Sequence, residues 1–139
     1  MKVHSQTDVG LVRTLNEDAC RTGLLGENGA WAVVCDGMGG ANGGEIASET
    51  AVKSIEEQIL ASYEEDFKSE EMKLMLSTLI FHANSAVYDM AQENESLKGM
   101  GTTIVVAIVL DNVAHIAHAG DSRAYLLHNG NIMQITTDH

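Results

Sequence analysis

Three acidic stretches of the chain carry residue types and spacings that could do chemistry. In WAVVCDGMGGANGGE, Trp31 to Glu45, an apolar run that reads as a buried strand stops at one carboxylate, Asp36, and five of the eight residues from Gly37 to Gly44 are glycine. Glycine lets a ligand approach the backbone, and a helix beginning after such a loop offers unpaired N–H groups, so a phosphate and a metal ion are the natural guests. A carboxylate fixed at a strand end, followed by a glycine free to turn its carbonyl to the same point, supplies two hard oxygen donors, Asp36 and Gly37. That pair suits Mg²⁺ or Mn²⁺, which keep several waters and need few protein ligands. RTLNED sets Arg13 just before Glu17 and Asp18, and AGDSRAY ends another apolar strand in Gly120-Asp121 with Arg123 nearby. Were these ends to meet, the carboxylates would repel and raise one another's pKa until protons or cations offset them. Each also has a plainer reading: a turn opened by Asp36, a solvated loop at Glu17-Asp18, a local ion pair between Asp121 and Arg123.

Other phosphate and metal motifs fail on the string itself. A P-loop needs a lysine directly after its last glycine, and none follows until Lys53. A dinucleotide fingerprint starting at Gly37 would need glycine where Asn42 stands. The C-x5-R spacing of a cysteine phosphatase puts Gly26 after Cys20 and Ala41 after Cys35. A G-D-x-H-G metal motif at Gly120-Asp121 meets Arg123 instead of histidine, and the D-x-D of aspartyl-phosphate chemistry meets Met38 after Asp36-Gly37. Cys20 and Cys35 lack any C-x-x-C spacing and read as reduced and structural.

The elements that must position these residues follow from periodicity. KVHSQTD and DACRTGLL read as strands joined by VGLVRTLNE, and WAVVCD as a third strand apolar enough to be covered on both faces. Ala47, Ala51, Val52, Ile55 and Ile59 make a helical stripe in EIASETAVKSIEEQILASY. A second stripe runs through Met72, Met75, Leu76, Leu79, Ala83, Ala86, Val87 and Met90, with Ser69 to Glu71 as its N-terminal signal; its methionines read as core. From Thr102 onward the period is that of strands, with Asp111-Asn112 and Asn129-Gly130 at hairpin turns. Strands, a helix pair and antiparallel strands make an α+β layout with the helices on one sheet face.

Bulk composition narrows the function classes. With 139 residues the chain reads as a single domain, 1–139, and 8 Lys and Arg against 20 Asp and Glu, a net charge of -12, argue against a nucleic-acid surface. The start MKVHSQTDVG lacks the apolar stretch of a signal peptide, and no run approaches the ~18 apolar residues that span a bilayer, so the chain reads as cytoplasmic without a membrane partner. His4, His82, His115, His118 and His128 read as structural or solvated, since an oxygen-seeking metal does not need them.

RTLNED, CDGMGG, GMGTT and AGDSRAY, in this order with a helix pair between the second and third, resemble the metal-dependent protein serine/threonine phosphatases of the PPM or 2C type in their compact bacterial form. The resemblance runs the length of the chain. It implies an α-β-β-α sandwich, a central antiparallel β-sandwich flanked by helix pairs, incomplete here, with two or three Mn²⁺ or Mg²⁺ ions at one end. Carried over by position, Asp36 would be the carboxylate bridging two metals and Gly37 the carbonyl donor; Glu17 and Asp18 would bind or orient metal-bound water; Arg13 would grip the substrate phosphate; Asp121 would serve a third, weaker metal site. Thr102 and Thr103 resemble a polar pair near the metal shell, whereas Ser122 and Arg123 resemble structural residues. The implied reaction is direct hydrolysis of phosphoserine and phosphothreonine in proteins by metal-activated water, without a phosphoenzyme. Met38 stands where some relatives place a histidine acid. The resemblance further implies that the chain is the N-terminal portion of a catalytic domain whose remainder adds metal-binding aspartates. The piece alone would then be weak or inactive, and its exposed edges would pair with another chain or with the missing C-terminal half. A cognate Ser/Thr kinase is an expected partner. The rival expectation is a catalytically silent regulatory or binding module of the same fold.

Overall fold

The computed structural model describes residues 1–40, 43–64 and 68–139. Ala41 and Asn42, within the glycine-rich loop, lie outside the described residues. Strand β1 (Asp18–Leu25) turns back into β2 (Gly29–Met38), and the register sets Asp18 opposite Asp36. The other edge of β2 pairs with β4 (Ile104–Leu110), which pairs with β5 (Val113–Ala119); the two-residue β3 (Gly101–Thr102) pairs with the far end of β2. All pairings are antiparallel and the main path runs β1-β2-β4-β5. Between β4 and β5, Asp111 and Asn112 adopt φ of 47° and 66°, the positive pair that a tight hairpin demands. Asn129 and Gly130 do the same between β6 (Tyr125–His128) and β7 (Asn131–Gln134), a separate two-stranded hairpin.

Helices α1 (Gly43–Ser62) and α2 (Ser69–Glu93) pack together over one face of the sheet. The α1 stripe lands as its spacing predicts: Ala47, Ala51, Val52, Ile55 and Ile59 are buried against Val33, Cys35, Val106 and Ile108. Removing a side chain such as Ile55 from this interior would cost about 2–5 kcal/mol. Along α2, Met72, Met75, Leu76, Leu79, Ala83 and Val87 are buried as predicted, Ala86 is half-buried, and the stripe then drifts. Met90, three residues past Val87, sits at the stripe's margin and is 38% exposed, while Ala91 takes the core position. The α2 N-cap is Lys68 rather than Ser69, and the Glu71 carboxylate accepts the Lys68 backbone N–H at 2.7 Å. This is an α+β fold with a central antiparallel sheet and a helix pair, matching the sandwich architecture in those layers. Among the described residues no helix is long and apolar enough to cross a membrane.

Two strand expectations are corrected. Residues 2–8 are exposed and unpaired, because no described strand offers their backbone a ladder; Thr7 is held instead by the Asn16 side-chain amide at 2.9 Å. The strand through Trp31–Asp36 is covered on one face only. Trp31, Val33 and Cys35 face the helices, while Val34 on the opposite face is 48% exposed, since the helix layer lies on one side.

Candidate functional site

The acidic end of β2 is assembled by close backbone approach. The Gly37 N–H donates to the Glu17 carbonyl at 3.0 Å, prolonging the β1–β2 ladder by one step. A Cβ at Gly37 would overlap the Gly44 carbonyl oxygen in the first turn of α1, and a Cβ at Gly44 would overlap the Glu17 carboxylate. Only glycine at both positions lets strand end and helix start share this space. The Glu17 carboxylate is thereby set against the helix N-terminus, where the dipole favours negative charge, and it pairs with Arg13 at 3.2 Å.

Asp36 is locked through its backbone. Its N–H donates to the Thr103 hydroxyl at 3.0 Å, and its carbonyl accepts the Thr103 N–H at 2.9 Å and the Thr102 hydroxyl at 3.0 Å. Thr103 is buried and its hydroxyl lies 2.6 Å from that of Ser122, tying the end of β2 to the turn that carries Asp121. That turn begins at Gly120 with φ of +101°, and a side chain there would also meet the Thr103 methyl.

With its backbone fixed, the Asp36 carboxyl is left among like charges. Partial burial raises its pKa above the usual carboxylate range first; the Asp18 carboxylate and the charge of Asp121 raise it further, and among the described residues Arg13 pulls it down. The structure therefore gathers Asp36, Asp18, Asp121 and Arg13, as the three strand ends suggested. Glu17 belongs to the neighbouring Arg13 pair. Asp36, Asp18 and Asp121 are all exposed, so each could reach a solvent ion.

Among the described residues, no group of three or more His, Cys, Asp or Glu converges tightly enough to cage a metal by itself. The donor set still fits a hard divalent ion of the Mg²⁺ or Mn²⁺ kind. The like charges of Asp18 and Asp121 beside Asp36 favour a proton or a cation there, and such ions accept a short protein ligand list completed by water. Cys20 and Cys35 are free; burial pushes the Cys35 thiol up to about 12, against a Thr102 hydrogen bond that lowers it, so Cys35 is no nucleophile.

One local reading is corrected. Arg123 pairs with Asp138 rather than Asp121: its Nε donates to Oδ1 at 2.8 Å and Oδ2 at 3.1 Å, and Nη2 donates to Oδ2 at 2.5 Å. Bidentate geometry favours this partner. Sequence reasoning also missed Gly44, for which the only signal was its place in the glycine run; Ser122 is structural, as its resemblance implies, and braces Thr103.

Residues 12–139 match the family profile described as Protein phosphatase 2C. The chain is 36% identical over 142 residues to the serine/threonine phosphatase stp of Listeria welshimeri, covering all of this chain and 55% of that protein. Against the serine/threonine protein phosphatase PstP of Mycobacterium tuberculosis it is 33% identical over 138 residues, covering 99% of this chain and 25% of that one. Among solved structures, serine/threonine phosphatase Stp1 from Staphylococcus aureus superposes with a TM-score of 0.87 at 39% identity, over 96% of this chain and 52% of that chain. The catalytic domain of PstP in complex with 2 manganese ions gives 0.77 at 34% identity, over 96% and 54%. The chain spans about half the length of the Listeria relative.

Proposed function

The chain belongs to the protein phosphatase 2C family, and on that premise we propose that it forms part of a cytoplasmic, Mn²⁺- or Mg²⁺-dependent enzyme that hydrolyses phosphoserine and phosphothreonine in proteins. The observation that carries this reading is the Asp36 carboxyl, opposite Asp18 with Asp121 nearby and, among the described residues, Arg13 to oppose them, at the glycine-lined end of β2. Asp36 and Asp18 would hold the ions with the Gly37 carbonyl, and Asp121 would contribute to a further, weaker site. Two or three bound ions would supply activated water and neutralise charge on the phosphoryl oxygens.

The chain's own groups do the rest. Arg13 is largely exposed, and its planar fork can leave Glu17 to grip two phosphate oxygens, a geometry that lysine does not offer. Glu17, beside the α1 N-terminus and paired with Arg13 at 3.2 Å, would bind or orient metal-bound water. Met38 beside the Asp-Gly pair can donate no proton, so the leaving alkoxide takes its proton from solvent. With Cys35 protonated and buried, phosphate is not passed to its thiol. Phosphorylated proteins are the expected partners, opposed by a cognate Ser/Thr kinase.

A second reading, a catalytically silent module of the same fold, is favoured by the lack of a closed three-ligand cluster among the described residues. Release of phosphate from a phosphothreonine peptide separates the two, assayed with Mn²⁺ and with chelator, for this chain and for a form of its relatives' length. Turnover that needs Mn²⁺ and disappears in Asp36→Asn supports the enzyme. Its absence from both forms supports the silent module.

A further inference from the structure

We propose that His139 is a positioning residue for Asp121, clamping the turn that aims this carboxylate toward Asp36; the proposal rests on the metal-site reading above. The turn from Gly120 to Ser122 leaves β5 with no ladder of its own, and its glycine sits at a positive φ. On one side it is pinned by the hydroxyl contact between Ser122 and Thr103. On the other it meets His139 twice. The His139 N–H donates to the Gly120 carbonyl at 3.1 Å, and the Gly120 N–H donates to His139 Nδ1 at 3.3 Å. The residue adjoining Asp121 thus has both its backbone groups satisfied by one residue, which is how a sheet bridge fixes a strand and how a free turn is not fixed.

His139 is brought there by its own anchors. The Ile135 N–H donates to the Ala124 carbonyl at 2.8 Å, the Ala124 N–H donates to the buried Thr136 hydroxyl at 3.1 Å, and Asp138 is gripped by Arg123. The imidazole then stacks on His118, with ring centroids 4.4 Å apart and planes inclined by 15°. For Nδ1 to accept from Gly120, the neutral ring must carry its proton on Nε2. Without this clamp the Gly120 end of the turn would lose both its backbone partners, leaving Ser122 and the Arg123–Asp138 pair to hold the far end, and Asp121 would face Asp36 in a fraction of conformers, weakening an ion that needs both.

The tautomer is testable without any variant: ¹⁵N correlation spectra of the imidazole should show Nε2 protonated and Nδ1 bare at neutral pH, and a protonated Nδ1 overturns the proposal. The functional part is read by Mn²⁺ titration followed by electron paramagnetic resonance. His139→Phe keeps a ring over His118 but removes the acceptor, and should weaken Mn²⁺ binding about fivefold, the effect of one lost hydrogen bond. His139→Asn, whose Oδ1 lies close to the position of Nδ1, should restore most of that loss. In an Asp121→Asn background the Phe substitution should have no further effect, whereas general destabilisation would lower affinity in both backgrounds. Wild-type affinity in His139→Phe, or an equal loss in both backgrounds, overturns the proposal. Asp36→Asn distinguishes the premise: if it leaves Mn²⁺ uptake intact, the metal-site reading falls and takes the clamp's purpose with it. If it abolishes uptake while His139→Phe is silent, only the clamp falls.

Discussion

Two aspartates less than a domain's width apart show opposite ways of handling a negative charge. Asp138 lies in the fork of Arg123, which holds its carboxyl below the usual range chiefly by hydrogen bonding, with Gln134 adding a smaller share. Asp36 faces Asp18 and Asp121, and is pushed the other way. The first charge is complete within the fold. The second is complete only with something from solution, and hydrogen bonds to its backbone N–H and carbonyl keep its Cα at the end of the strand. A structural ion pair ends in neutrality, whereas a binding site preserves an imbalance and spends hydrogen bonds elsewhere to keep it in place.

The most severe way to break the contrast is Asp36→Asn. If Asp36 is the direct ligand proposed, metal-dependent phosphopeptide turnover should fall by more than the about 10–100-fold typical of losing an outer-shell partner; steady-state assays at saturating Mn²⁺ check this. Next is Gly37→Ala, which forces a methyl into the Gly44 carbonyl and should cost about 1–3 kcal/mol or more in urea denaturation, where Arg123→Ala should barely move the midpoint. Thr103→Val removes a buried hydroxyl that serves both Asp36 and Ser122, and should cost about 1–3 kcal/mol while also weakening Mn²⁺ binding.

The contrast sharpens with pH. Asp36 has a folded pKa above its unfolded value, so its unfavourable charge is fully present at neutral pH and is relieved as pH falls through the raised value toward 3.8. Asp138 has a folded pKa below its unfolded value, so its stabilisation is present above 3.8 and is lost as pH falls through the lowered value. In chelator, Asp36→Asn should therefore stabilise the fold at neutral pH by the about 0.2–1 kcal/mol of an exposed charge contact, read as a higher denaturation midpoint, and the gain should vanish on acidification. Asp138→Asn should do the reverse, with a small loss at neutral pH that disappears below the carboxylate range. Midpoints recorded from pH 7 downward for the two variants would fail to support the contrast if their slopes had the same sign.

Much of the site was legible because local signals coincided with global ones. The α1 stripe, the positive-φ hairpin turns and the apolar run into Asp36 are dictated by neighbours a few residues away, and each formed where the spacing said. Residues 2–8 failed because alternation describes what a strand could bury, not whether a partner is present. Met90 failed because a stripe of 3.6-residue period drifts off a 3-4 count near its end. Arg123 reads as the partner of Asp121 because they stand two residues apart in the chain; its actual partner, Asp138, is 15 residues away and reached by a return of the chain.

The string of residues by itself determined which groups could bind a hard cation: a carboxylate before a glycine run, an arginine before two acids, and a Gly-Asp at a strand end are chemical identities, and identity does not depend on folding. What only the tertiary structure decided is which of those charges remain unbalanced. The antiparallel register put Asp18 opposite Asp36, the Thr103–Ser122 contact brought Asp121 to the same end, and the α1 N-terminus and Arg13 claimed Glu17. Electrostatic interaction falls with distance through space and is indifferent to distance along the chain, so the balance of charge at Asp36 exists only once the strands have paired.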